Sequence, residues 1–120
     1  MDPIRILLVE DHKIVREGTR QLLEQAPDLT VIGEAADGGE AVRLATELSP
    51  DVVVMDVRLP VLNGIEATKA IKDQHPNMPI LILSAYDDDR YVFPLLDAGA
   101  NGYVLKTTSW AELAQAIRTV

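Results

Sequence analysis

Short apolar runs alternate along the chain with longer segments in which apolar residues recur every three or four positions. The apolar runs cover Ile4–Val9, Leu29–Ala35, Val52–Met55, residues 80–83 and Gly102–Leu105. The segments between them have the spacing of amphipathic helices, as at Val15, Leu22 and Leu23. Five runs of strand length separated by helical crossovers predict a (βα)5 chain.

Two of the runs contain no polar residue. Val52–Met55 and residues 80–83 are apolar at every position, which is typical of parallel strands buried on both faces. The predicted fold class is therefore α/β, a doubly wound, five-stranded parallel sheet with helices on both faces. Such sheets bind ligands beyond the carboxyl ends of their strands, so the residues at those ends form the candidate site.

Polar residues lie at the carboxyl ends of four runs. They are Glu10 and Asp11 after the first run, Asp56 after the third, Ser84 after the fourth and Lys106 after the fifth. Neighbouring carboxylates repel one another by roughly 4 kcal/mol per pair at about 4 Å and an effective dielectric of about 20. A hard divalent cation such as Mg2+ offsets that repulsion and prefers oxygen ligands. The cluster therefore predicts a Mg2+ site.

The same residues suggest phosphoryl transfer. A carboxylate such as Asp56 is a possible nucleophile that forms an acyl phosphate, while a metal and Lys106 neutralise charge in the transition state. Taken singly, each residue has a simpler explanation: Asp11 or Asp56 as a helix cap, Ser84 as a turn former, Lys106 as a solvated side chain. Their combination at one edge of the sheet favours a functional site.

Composition narrows the alternatives. A chain of 120 residues fits one domain, and the absence of cysteine excludes disulfides and thiolate chemistry. The formal net charge of −8 makes direct binding of nucleic acid a poor fit. No apolar run approaches the roughly 20 residues that cross a bilayer, and the N-terminus does not read as a signal peptide. A cytoplasmic location without a membrane partner is the expectation.

These residues resemble the receiver domain of bacterial two-component response regulators, over the whole chain. The matching positions are Glu10 and Asp11, Asp56 with Pro60 and Gly64 behind it, Ser84 with Ala85, and Lys106. The resemblance implies a flavodoxin-like fold in which Asp56 accepts a phosphoryl group from a sensor histidine kinase. It also implies that Mg2+ is bound by Glu10, Asp11, Asp56 and the backbone carbonyl of Arg58. Ser84 and Lys106 would sense the phosphoryl group, and Tyr103 would change rotamer.

Details around the motif resemble the NarL/FixJ subgroup, whose receivers precede a helix-turn-helix domain. Those details are residues 9–12, 31–35 and 98–106. The expectation is a single receiver domain, residues 1–120, with the effector domain absent from this chain. DNA would then be reached only through that missing domain, and phosphorylation would offer a surface for a homodimer. The chain would be a switch that controls transcription, with no enzymatic activity beyond its own phosphorylation and dephosphorylation.

Four residues carry further expectations. Pro94 falls within residues 87–98, the predicted fourth helix, and implies a helix that is kinked or begins only near Tyr91. Arg58 and Tyr86 are bulky residues two positions beyond Asp56 and Ser84, which predicts slow loss of the phosphoryl group. His12 follows the acidic pair closely enough to reach a metal, although a surface role at the start of a helix is favoured.

Two other classes of function stay open on the residues alone. A receiver-like binding module that signals without phosphorylation is disfavoured by the complete set of site residues. An enzyme on the same architecture is disfavoured too. A flavin protein would want a loop rich in hydroxyls and glycine after the first strand, and an aspartate-nucleophile phosphatase a second acid where Arg58 stands.

Overall fold

The computed structural model describes residues 2–84, 89–106 and 109–120, with the backbone alone described at residues 89–91. Within these residues the strands are β1 (Ile4–Val9), β2 (Leu29–Ala35), β3 (Val52–Met55), β4 (Ile80–Ser84) and β5 (Gly102–Leu105). The helices are α1 (Lys13–Leu23), α2 (Gly38–Leu48), α3 (Gly64–Gln74), α4 (Asp89–Asp97) and α5 (Trp110–Thr119). The strands form one parallel sheet in the order β2-β1-β3-β4-β5, which confirms the predicted (βα)5 fold.

The sheet divides the core into two layers. Alternate strand residues such as Leu7, Val53 and Ile82 face α2, α3 and α4, and their neighbours Ile6, Val54 and Leu81 face α1 and α5. Every residue of β3 is buried, which explains its unbroken apolar run. Four of the five predicted strands have the bounds that their apolar runs indicated, and β4 extends one residue further to include Ser84.

The edge strand β2 contains an irregularity. Ile6 of β1 pairs with Val31, but the next residue, Leu7, pairs with Gly33, so the register skips Ile32. Side chains alternate between the faces of a strand, and one extra residue reverses that alternation for everything that follows. Accordingly, Val31 is buried in the layer beneath α1 and α5, whereas Ala35 is buried in the opposite layer.

Helix α4 includes Pro94, the proline that falls within the predicted fourth helix. The helix begins at Asp89, two residues before Tyr91, and Pro94 is its sixth residue, so Pro94 lies beyond the first turn. The side chain of the following residue, Leu95, is fully buried in the layer with α2 and α3. Packing of that side chain holds a helix that local propensity disfavours.

The loop between β3 and α3 makes a tight turn against the start of α2. The amide of Leu62 donates to the carbonyl of Pro60 at 2.8 Å, and Val61 at the centre of this γ-turn has φ 70°. The amide of Gly38 donates to the same carbonyl at 3.2 Å, and a Cβ on Gly38 would overlap the carbonyl of Leu62. Glycine is therefore required where the helix meets the loop.

Helices α3 and α5 begin with side-chain caps. Asn63 forms a reciprocal capping box with Glu66, and the hydroxyl of Ser109 accepts from the amide of Glu112. Among the described residues, no helix combines the length and apolar character required to span a membrane.

Candidate functional site

Adjacent parallel strands bring the predicted site residues to one edge of the sheet. Glu10 and Asp11 follow β1, and Asp56 follows β3, its amide donating to the carbonyl of Val9 at 3.1 Å. Ser84 ends β4, and the amide of Lys106, just after β5, donates to the carbonyl of Ser84 at 2.7 Å. Because β1, β3, β4 and β5 are neighbours in that order, residues separated by up to 96 positions meet in one crevice.

Lys106 joins the two most buried acids of the crevice. Its Nζ lies 2.8 Å from Oε1 of Glu10 and 3.0 Å from Oδ2 of Asp56, while Glu10 is 3% and Asp56 8% exposed. The other carboxylate oxygen of Asp56, Oδ1, accepts from the amide of Val57 at 2.7 Å. One ammonium group thus offsets the repulsion of two desolvated carboxylates.

The pKa values of the crevice reflect this crowding. Burial raises the pKa of Glu10, the hydrogen bond from Lys106 acts in the opposite direction, and the neighbouring Asp56 carboxyl raises it further. Burial alone would lower the pKa of Lys106, but its contacts with Glu10 and Asp56 outweigh this effect and the pKa is raised. The ammonium form of Lys106 is therefore the form that the site stabilises.

The residues present fit a divalent cation. Oδ1 of Asp11 is buried and accepts no hydrogen bond from the described residues, and one ligand atom each from Glu10, Asp11 and His12 lie within 4.8 Å of one another. Oxygen-rich groups of this kind suit Mg2+. His12, which precedes α1, holds its Nδ1 3.3 Å from Oδ1 of Asp11, so it reaches this rim while its side chain stays largely exposed. Arg58 and Asp11 line the same groove.

Ser84 and Tyr103 lie on the neighbouring strands β4 and β5, Ser84 at the end of its strand and Tyr103 three residues before Lys106. Ser84 is fully buried, and Tyr103 packs against the layer that contains α2, α3 and α4. The hydroxyl of Tyr103 is buried without a hydrogen-bond partner among the described residues. Ala85, Tyr86 and Thr107 lie outside the described residues, so the expectation that Arg58 and Tyr86 slow phosphate loss stays a prediction.

Sequence reasoning missed one residue that touches the site. Arg16 of α1 donates through Nη1 to the backbone carbonyl of Glu10 at 2.7 Å, and its Nε pairs with Glu34 of β2 at 3.1 Å. The sequence predicts that Arg16 lies in a helix and that Glu34 lies in a strand. It does not show that the two face each other, because that depends on the irregular register of β2.

Comparison with known proteins places this geometry in a family. Residues 6–118 match the model of the response regulator receiver domain. The transcriptional regulatory protein LiaR of Bacillus subtilis is 51% identical over 115 residues, which are 96% of this chain and 54% of LiaR. The chain therefore spans about half the length of this curated relative.

Solved structures agree. The signal receiver domain of the response regulator NarL from Mycobacterium tuberculosis has a TM-score of 0.95 at 30% identity, covering 99% of this chain and 96% of that one. The CheX-CheY complex of Borrelia burgdorferi with BeF3 and Mg2+ contains a chain that matches with a TM-score of 0.90 at 25% identity, covering 98% of this chain and 89% of that one. The chain belongs to the response regulator receiver domain family, the signalling switches of two-component systems, and its relatives are transcriptional regulators of the NarL/LuxR type.

Proposed function

We propose that Asp56 is the phosphoryl acceptor of this receiver and that its phosphorylation requires Mg2+. The observation that carries the proposal is the shared ion pair: Asp56 and Glu10 are both buried, and one ammonium group, Lys106 Nζ, lies within 3.0 Å of each. A buried carboxylate that only capped a helix would not need a second acid and a bridging lysine beside it.

In the proposed reaction a carboxylate oxygen of Asp56 forms a bond to phosphorus while the bond between phosphorus and the donor breaks. The donor is the phosphorylated histidine of a sensor kinase, whose imidazole leaves with the electron pair. Lys106 exchanges its contact with Asp56 for one with a phosphoryl oxygen, and the Ser84 hydroxyl donates to another. Glu10, Asp11, Asp56 and the backbone carbonyl of Arg58 would hold Mg2+, which when bound neutralises charge on the transferred group.

The proposed readout begins at Ser84 and Tyr103. The amide of Lys106 already donates to the carbonyl of Ser84, so movement of either residue reaches the other directly. The buried hydroxyl of Tyr103, which has no hydrogen-bond partner among the described residues, favours a side chain that changes rotamer when Ser84 moves. The surface formed by α4, β5 and α5 would then change and offer a contact to an effector domain or to a second copy of the chain. Control of DNA would act through that effector domain, as the name of LiaR suggests for this relative.

Phosphorylation is tested by incubating the protein with Mg2+ and acetyl phosphate and measuring its intact mass. The wild type is expected to gain one phosphoryl group, and Asp56→Asn is expected to gain none. Asp73→Asn, which removes an exposed acid on α3, serves as the matched control and should be phosphorylated like the wild type. Chelation of Mg2+ should abolish the gain. An unmodified wild type, or modification that persists in Asp56→Asn, would refute the proposal.

A further inference from the structure

We infer that Arg16 is a positioning residue for the metal-binding acids, acting through the peptide that joins Glu10 to Asp11. Its Nη1 donates to the Glu10 carbonyl at 2.7 Å. That carbonyl belongs to the planar peptide between the two acids, so its direction sets the backbone angles on either side of it. The inference rests on the proposed Mg2+ site and adds to it a residue that binds no metal itself.

The guanidinium of Arg16 is unusually enclosed for a helix side chain. Only 17% of the Arg16 side chain is exposed, and Nε is paired with Oε1 of Glu34 at 3.1 Å. A guanidinium presents several donors in a rigid plane. Arg16 therefore binds the carboxylate of β2 and the carbonyl after β1 at the same time and fixes one relative to the other.

The skipped residue in β2 is what makes this contact possible. After the register skips Ile32, Glu34 pairs with Leu8, whose side chain faces α1 and α5. In an unbroken register Glu34 would pair with Val9, whose side chain faces the opposite layer. A local irregularity of the edge strand thus points a carboxylate at the helix that carries Arg16.

Arg20 provides an internal comparison. It lies one turn further along α1, and its Nη1 also pairs with Glu34, while its Nε pairs with Glu24. The contacts described for Arg20 include none with the backbone at the site. Arg16 and Arg20 therefore share their charge and their acidic partner, and they differ in the contact with the Glu10 carbonyl.

Charge and geometry predict opposite effects for the loss of Arg16. A cation near the acidic crevice disfavours a second cation there, so removing its charge should strengthen metal binding on electrostatic grounds alone. If Arg16 positions the peptide, its removal leaves the Glu10 carbonyl without its charged donor and lets the Asp11 carboxylate leave its binding geometry. Residues that orient metal ligands typically contribute about 10- to 100-fold to affinity.

The test is calorimetric titration of the unphosphorylated protein with Mn2+ and Mg2+, together with the Tm of each variant. Arg16→Gln is expected to bind either ion about tenfold more weakly than the wild type, whereas Arg20→Gln should stay within about twofold of it. Arg16→Lys keeps the charge but has a single ammonium in place of the planar fork, and it should also lose several-fold in affinity.

Each outcome separates this inference from the proposed metal site. Unchanged or tighter binding by folded Arg16→Gln would overturn the positioning role, as would an equal loss in Arg20→Gln. If Arg16→Gln does not fold, Glu34→Ala takes its place: it keeps Arg16 and removes the carboxylate that anchors its Nε, and unchanged affinity there would overturn the inference. A wild type that binds neither ion would refute the metal site itself.

Discussion

Substitution of Val61 tests the backbone conformation of the loop between β3 and α3. Its φ of 70° lies in a region that β-branched residues rarely occupy, and holding an L-residue there costs about 1–2 kcal/mol. Asparagine occurs at positive φ several-fold more often than most residues, whereas β-branched residues such as valine are outliers there. Val61→Asn should therefore recover much of that cost without the extra unfolded-state entropy of glycine.

The loss of the valine side chain acts against this gain. Val61 is 78% exposed, so it retains about a fifth of the roughly 1.5–3 kcal/mol that full burial brings, or about 0.5 kcal/mol. The expected net stabilisation is about 0.5–1.5 kcal/mol. For a domain of this size, that corresponds to a rise in Tm of about 2–6 °C.

Urea unfolding followed by circular dichroism measures the change, with an unchanged m value as the sign that only stability has shifted. Val61→Ala is the control, because it loses the same contact but has no polar side chain that could hydrogen-bond locally at positive φ. It should be no more stable than the wild type. If Val61→Asn is not more stable than Val61→Ala, the strained turn does not exist in solution.

Three further predictions follow from other features. Gly38→Ala should destabilise the protein by about 1–3 kcal/mol because its Cβ meets the carbonyl of Leu62. Gly18 lies in the middle of α1 with open space around it, so Gly18→Ala should stabilise the protein by about 0.5–1 kcal/mol. Equal effects of the two substitutions in thermal melts would contradict both predictions. Hydrogen bonds from Arg118 at 2.7 and 2.9 Å lower the pKa of Asp28, so the carboxylate stabilises the fold above the unfolded pKa of about 4 and loses this effect as the pH falls through its lower folded pKa. The difference in Tm between the wild type and Asp28→Asn should therefore be present at neutral pH and disappear in acid, and a difference that persists in strong acid would exclude this origin. Pro94→Ala should restore a backbone donor inside α4, stabilise the protein by about 1–3 kcal/mol and slow amide exchange across residues 92–97; unchanged exchange would show that Pro94 does not weaken the helix.

The strands and the site were predictable for the same physical reason. Strands buried on both faces must be apolar throughout, so the first polar residue marks the edge at which the chain leaves the sheet. That logic located Asp56 and Lys106 at the carboxyl ends of β3 and β5. Parallel pairing then placed both at the same edge of the sheet, where the long Lys106 side chain reaches past β4 to Asp56. The predicted β4 ended one residue too early because Ser84 is polar, although Ser84 still pairs with Leu105 in the sheet.

Other features depend on tertiary structure that no local pattern reports. Leu29–Ala35 reads as an ordinary strand, and nothing in its composition marks Ile32 as the skipped residue, so the pairing of Arg16 with Glu34 was invisible. Val61 contradicts its own local preference, because the turn is held by the contact of Pro60 with α2. Pro94 remains inside a helix because Leu95 anchors that helix in the core.

The irregular register of β2 also affects the tendency of the protein to aggregate. β2 is an outer strand of the sheet, and an outer strand with evenly spaced backbone groups is a template on which another chain can add a strand and start an aggregate. The extra residue at Ile32 interrupts the even spacing and increases the local twist. The feature that turns Glu34 towards Arg16 therefore also makes this edge a poor template for intermolecular β-pairing.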